Sequence, residues 1–206
     1  MKTICLVNGS LRGKKASSLA FLGDVESRLP ATDFAVKTVS AKAKVRGSYP
    51  VETLRELATA DALILVFPLF TYALPGALMR LLEDYCSYAG SGNDYNREAK
   101  VYAVDNCGFP RPVIFRECVR TLRNFCRRLS LDWRFAVCIS CGPVVVTTRR
   151  VPLLDLRLKR AFAAIASDLK SSDPAPRDDY LISPVVPVPI CLMMKRRFEK
   201  KMELST

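Results

Sequence analysis

Residues 62–67 read Ala-Leu-Ile-Leu-Val-Phe, six apolar side chains in a row with no polar residue at alternate positions. A strand with one wet face alternates between apolar and polar. A continuous run needs cover on both faces, which is the setting of a central parallel strand. Four further runs have strand length and similar character: 3–8, 34–39, 101–106 and 135–140. A helix-length segment separates each from the next. Residues 17–29 are amphipathic and stop before Pro30, and 51–59 make a shorter segment. From residue 74 on, Leu74, Ala77, Leu78, Leu81, Leu82 and Tyr85 form an apolar stripe at helical spacing, with Pro75 where a first turn tolerates it. A fourth helix is expected over 111–129. A fifth follows from Leu154, Leu158, Phe162, Ile165 and Leu169. Such alternation predicts an α/β fold: a three-layer sandwich around a five-stranded parallel sheet in the order 2-1-3-4-5. One domain is expected over 1–170. Residues 171–206 are expected to be a Pro-rich C-terminal extension that ends in a basic helix, Lys195-Arg-Arg-Phe-Glu-Lys-Lys-Met202.

Composition narrows the chemistry. The 206 residues contain no histidine. Ser-His-Asp and Cys-His catalysis are therefore excluded, as are His-ligated metals. An enzyme of this composition is expected to take its chemistry from a cofactor. Of eight cysteines, only Cys138 and Cys141 form a CxxC pair. A structural zinc site needs about four ligands, so no metal is expected, and the two are read as core thiols of an apolar strand. No apolar run reaches the roughly 18 residues of a membrane span, so no membrane insertion is expected. The opening apolar segment is too short for a signal peptide, and the cysteines read as reduced thiols of a cytoplasmic protein.

The formal net charge is +12. Part of it is patterned: Arg116, Arg120, Arg123 and Arg127 recur at helical spacing. A solvated helix face explains that stripe first, and attraction of anionic ligands such as a phosphorylated dinucleotide second. No nucleic-acid partner is expected, because no aromatic platform or reading motif accompanies the charge.

Three loops follow the central strands, and in such sheets ligands sit at the carboxyl ends of the strands. After the first comes Asn8-Gly-Ser-Leu-Arg12, then Ser17-Ser18 at the start of a helix. Hydroxyls, a guanidinium and free N–H groups at a helix start suit a phosphate. The same residues also read as a turn and a helix cap. They form neither a Walker loop nor a dinucleotide fingerprint. After the third strand comes Pro68-Leu-Phe-Thr-Tyr-Ala-Leu-Pro75, stiff, apolar and suited to a flat ring. After the fourth comes Asn106-Cys-Gly-Phe109, where Gly108 permits close approach and Phe109 offers a wall.

With these pieces in this order, the chain resembles the flavodoxin-like NAD(P)H-dependent FMN reductases over roughly its first 145 residues. The resemblance implies a flavodoxin-like sandwich with FMN as cofactor and NAD(P)H as co-substrate. It also implies a small oxidised acceptor such as a quinone or a flavin, and a homodimer. It assigns Ser10, Arg12, Ser17 and Ser18 to the FMN phosphate. Pro68, Leu69, Phe70, Thr71 and Tyr72 would line the ring, and Asn106, Cys107, Gly108 and Phe109 would close its other edge. No side chain is expected to act as a catalytic acid or base, since the flavin carries the chemistry. The rival is a flavodoxin-type electron carrier. Such carriers tend to be acidic, and a charge of +12 argues against it. Iron–sulfur flavoproteins carry a cysteine cluster between the second and third strands. Here no cysteine lies between Cys5 and Cys86.

Overall fold

The computed structural model describes residues 1–12, 16–43, 47–147, 152–184 and 193. The strands are β1 (Lys2–Asn8), β2 (Phe34–Ser40), β3 (Ala62–Pro68), β4 (Lys100–Asn106), β5 (Asp132–Ile139) and β6 (Tyr180–Ile182). All pair in parallel, in the order β2-β1-β3-β4-β5-β6. The expected order therefore holds, with one strand more than the five predicted. β6 registers Val137 with Tyr180 and Ile139 with Ile182. Asp179 joins it to the sheet by accepting the backbone N–H of Ala136 at 2.7 Å. The basic helix expected at the end of the chain lies outside the described residues.

The helices are α1 (Ser17–Glu26), α2 (Val51–Ala58), α3 (Gly76–Gly90), α4 (Arg116–Leu129), α5 (Gly142–Thr147) and α6 (Pro152–Lys170). The fourth starts later than its apolar pattern predicts, because a short 3-10 turn at Pro112–Phe115 comes first. Proline has no N–H to donate to a helical ladder. The buried strand residues divide between two faces. Cys5, Val7, Leu63, Leu65 and Phe67 pack with α2, α3 and α4. Ile4, Leu6, Ile64 and Val66 pack with α1, α5 and α6. Period-2 alternation along continuously apolar strands thus builds two cores.

The amino ends of the strands are fastened by charge. Lys2 Nζ donates to the Leu169 carbonyl at 2.6 Å, and Lys100 Nζ to those of Asp168 and Ser171 at 2.8 and 2.9 Å. Both cations complement the C-terminal end of the α6 dipole. Asp168 is fully buried, receives Arg134 Nε at 2.9 Å and accepts the Tyr102 hydroxyl at 2.7 Å. A cavity of about 570 Å³ opens beside these groups. Of its cations, Lys2, Lys100 and Arg134 are held by α6 and neighbouring carboxylates and Arg97 stands over the Tyr95 ring, and it lies at the end of the sheet opposite the three ligand-type loops.

Candidate functional site

β1, β3 and β4 are neighbours, so their carboxyl ends and the loops that follow lie side by side. Asn8 is in register with Val66, and Pro68 with Asn106. Backbone bonds carry the alignment onward: Gly9 N–H donates to the Val66 carbonyl at 2.8 Å, and Leu69 N–H to that of Asn106 at 2.8 Å.

In the first loop, Asn8 Oδ1 accepts the Ser10 N–H at 3.0 Å, and Ser10 Oγ accepts the Arg12 N–H at 3.3 Å. These bonds fold the loop back on itself and leave the Ser10 hydroxyl proton available as a donor. Ser10 is buried, Arg12 is exposed and Ser17 is half-buried. Gly9 follows β1 directly. Here its bare Cα presses on the sheet, where a Cβ would stand 2.6 Å from Phe67 Cβ. At the start of α1 no side chain caps the helix and no acid stands in its first turn. The Ser18 side-chain oxygen is buried without a hydrogen-bond partner. An orphan hydroxyl beside an uncapped helix start is an unmet demand for an anion.

After β3, Phe70 and Ala73 exchange backbone bonds of 3.0 and 2.8 Å across a two-residue turn. Its central residues, Thr71 (φ 46°) and Tyr72 (φ 65°), both lie in the left-handed region. Tight turns of this kind ordinarily use Asn and Gly. Two consecutive non-glycine residues held there are strained, and such strain gathers at functional loops. The turn leaves Phe70 42% and Tyr72 57% exposed. Pro68 and Leu69 are half-buried beneath it.

After β4, the expected ligand residues divide by depth. Asn106 is buried, and its Nδ2 donates to the Phe67 carbonyl at 3.1 Å. It braces the β3 loop from below. Cys107 is buried too, with its thiol on the Phe109 carbonyl at 3.2 Å. Gly108 is half-buried and Phe109 is 49% exposed. A fourth loop, after β5, was not foreseen. Cys141 N–H donates to the Phe109 carbonyl at 3.0 Å, and Gly142 N–H to that of Cys107 at 2.6 Å. A Cβ on Gly142 would stand 2.8 Å from Asn106 Oδ1. Cys141 is buried as expected, but it sits in this turn at φ 52° rather than in a strand. The one sequence signal was Cys141-Gly142 directly after an apolar run.

Asp105, next to Asn106, points away into the core. Neither carboxyl oxygen has a hydrogen-bond partner of good geometry, and the Cys138 and Cys118 thiols face it. Burial pushes its pKa up to about 8. Burial, with Asp105 beside them, pushes both thiols up as well.

A parallel sheet with its topological switch between β1 and β3, and a phosphate-type loop after β1, is the arrangement of one known fold. An NADH:FMN oxidoreductase in apo form shares it, with a TM-score of 0.64 at 14% identity over 86% of this chain and 94% of that one. The fold is flavodoxin-like. An FMN-dependent NADH-azoreductase of Bacillus anthracis, solved with FMN, aligns with a TM-score of 0.58 at 12% identity over 81% of this flavodoxin-like chain and 100% of its own. General stress protein 14 of Treponema denticola, also solved with FMN, aligns with a TM-score of 0.61 at 15% identity over 82% and 100%. No family model matches the chain, and a search of curated proteins finds no match.

FMN fits the residues present. The orphan Ser18 hydroxyl, the uncapped start of α1, the Ser10 hydroxyl and Arg12 suit its phosphate. The exposed rings of Phe70, Tyr72 and Phe109 suit an isoalloxazine.

Proposed function

We propose that the chain is an FMN-dependent oxidoreductase that moves reducing equivalents from NAD(P)H to a small oxidised acceptor such as a quinone or a flavin. The observation that carries this reading is the buried, unpartnered Ser18 hydroxyl at the uncapped start of α1, set beside the strained, aromatic turn after β3. FMN, when bound, supplies two-electron exchange with a nicotinamide. Ser10, Ser17 and Ser18 donate to the phosphate, and Arg12 neutralises it from the solvent side. The Pro68–Tyr72 segment walls the ring and excludes water, with Thr71 and Tyr72 fixed in position by the turn. Asn106 and Cys107 act from beneath, holding the loops that present Gly108 and Phe109 at the other edge.

The solved neighbours that carry FMN support the cofactor, and the reductase names among them support the reaction class. The exposed Phe70 and Tyr72 support a homodimer whose second copy covers that wall. The free thiols of Cys5, Cys86, Cys118, Cys126 and Cys138 support a reducing, cytoplasmic setting.

The test is a visible absorption spectrum of the protein loaded with FMN, followed by anaerobic titration with NADH and with NADPH. Bleaching by either nicotinamide, with colour restored by a quinone and ping-pong kinetics, is the expected result. FMN that binds but is not reduced by either nicotinamide favours the electron carrier. Failure to bind FMN overturns the reading.

A further inference from the structure

The oxidoreductase reading leaves one strongly charged surface unused: the outer face of α4 and the turn before it. Residues 109–129 contain six arginines and one glutamate, with no lysine and no aspartate. At about 100° per residue, Arg116, Arg120, Arg123 and Arg127 fall within an arc of about 60° and run about 16 Å along the helix. Cys118, Leu122, Phe125, Cys126 and Leu129 on the opposite face are buried. Arg120 pairs with Glu117 at 2.6 Å and Arg123 with Asp179 at 2.8 Å. Among the described residues, no acid pairs with Arg111, Arg116, Arg127 or Arg128. Val113, in the turn leading into the helix, is 69% exposed.

Helix stability does not account for this face. Like charges one turn apart destabilise a helix by about 0.2–0.5 kcal/mol per pair. Arg116 also places a cation in the first turn, at the wrong end of the dipole. Solubility needs charge, but it does not need arginine alone in a line. Arginine in place of lysine suits phosphate, which it grips with two parallel N–H donors.

We propose that this face docks the protein on an anionic phospholipid surface, with the arginine row on lipid phosphates and Val113 entering the headgroup layer. A cluster of basic side chains is drawn to an anionic leaflet by about 1 kcal/mol per charge, and the exposed Val113 beside it adds an apolar contact. Nucleic acid fits less well. No exposed aromatic ring stands between Arg116 and Arg127 for base stacking. The docking rests on α4 and does not depend on the flavin reading.

The test is co-sedimentation of the full chain with two kinds of vesicle: pure phosphatidylcholine, and phosphatidylcholine containing about one third phosphatidylserine. Binding to the second kind only, weakening as salt rises, is expected. Replacing Arg116, Arg120 and Arg127 together by Gln should weaken binding about a hundredfold, from about 1 kcal/mol per arginine near the surface. A charge-matched control, with Lys37, Arg55 and Arg160 changed to Gln, should change it little. Val113→Ser alone, which leaves every charge in place, should weaken binding by a factor that does not shrink as salt rises, because loss of apolar burial is not screened. Thermal melts establish that each variant is folded. No binding to the anionic vesicles overturns the proposal. So does an equal loss in the control, or binding to duplex DNA that the vesicles do not displace.

Discussion

Asn106 Nδ2 donates to the Phe67 carbonyl at 3.1 Å, tying the ends of β4 and β3 together at the point where their loops turn toward the candidate site. The Asn106 carbonyl in turn accepts the Leu69 N–H, and Gly142 presses on its side chain. One residue thus sets the height of two loops against each other. Asn106→Ala leaves the Phe67 carbonyl without this donor and should cost about 1–3 kcal/mol in urea unfolding. Gly142→Ala should cost a similar amount by crowding the same side chain. Unchanged midpoints in both variants would refute the clamp.

Ser18 makes a prediction of two signs. Its hydroxyl is buried and unpartnered, so Ser18→Ala should leave the FMN-free protein as stable as before, or more stable by up to about 1 kcal/mol. The same change should weaken FMN binding. Replacing Ser10 and Arg12 together by Ala should weaken it further, by a few kcal/mol, since charge-assisted bonds contribute roughly 1.5–3 kcal/mol each. Fluorescence titration and thermal melts read both quantities. An FMN dissociation constant unchanged across these variants removes the phosphate assignment.

The turn after β3 separates strain from function. Left-handed backbone costs a non-glycine residue roughly 1–2 kcal/mol, so Thr71→Gly should stabilise the protein while keeping the aromatic wall. Tyr72→Ala removes a ring beside the candidate flavin and should impair turnover without loss of fold. A Thr71→Gly variant less stable than wild type would show that the turn is held by contacts of the Thr71 side chain.

Asp105 gives the stability a pH dependence. Its folded pKa, about 8, lies above the ordinary carboxyl value near 4 because burial disfavours the charge. Between those two values the folded chain holds a proton that the unfolded chain has released. The contribution is therefore present in full below pH ~4 and fades as pH rises, at up to about 1.4 kcal/mol per pH unit, until it levels off above pH ~8. Asp105→Asn should flatten that slope and gain on wild type as the buffer becomes more alkaline. Parallel stability curves for the two proteins from pH 5 to pH 8 would rule this out.

The central sheet was legible because β3 is a continuous apolar run and β1 and β4 carry unbroken apolar stretches at 4–7 and 101–104, and such stretches have few other places to go. The helix ends were legible to within a few residues, except at α4, where Pro112 forces a 3-10 turn before the apolar period begins. Two elements left too little pattern to read. β6 is three residues long and follows Asp178-Asp179, which looks like a linker until Asp179 is seen accepting the Ala136 N–H. α5 contains Val144-Val-Val146, β-branched residues that argue against a helix. At the site, the hydroxyls and the guanidinium of the first loop could be read from the chain. The left-handed pair Thr71-Tyr72 could not, because neither residue type announces that backbone. Nor could the buried station of Asn106, which depends on a partner 39 positions earlier.

The shortness of β6 bears on how this protein fails. Among the described residues, three residue pairs hold the last strand to β5, helped by Asp179 on the Ala136 N–H, Arg157 on the Leu181 carbonyl and Arg134 on those of Pro174 and Ala175. The stretch is a shutter over the flank of the sheet, and its release would bare the unpaired N–H and C=O groups of a longer, apolar strand. A bare strand edge is a template for a second chain. Deleting residues 171–206 should therefore leave a sheet that still assembles but self-associates, giving light scattering that grows with protein concentration. A truncated chain that stays monodisperse would show that β5 is guarded by something other than its small neighbour.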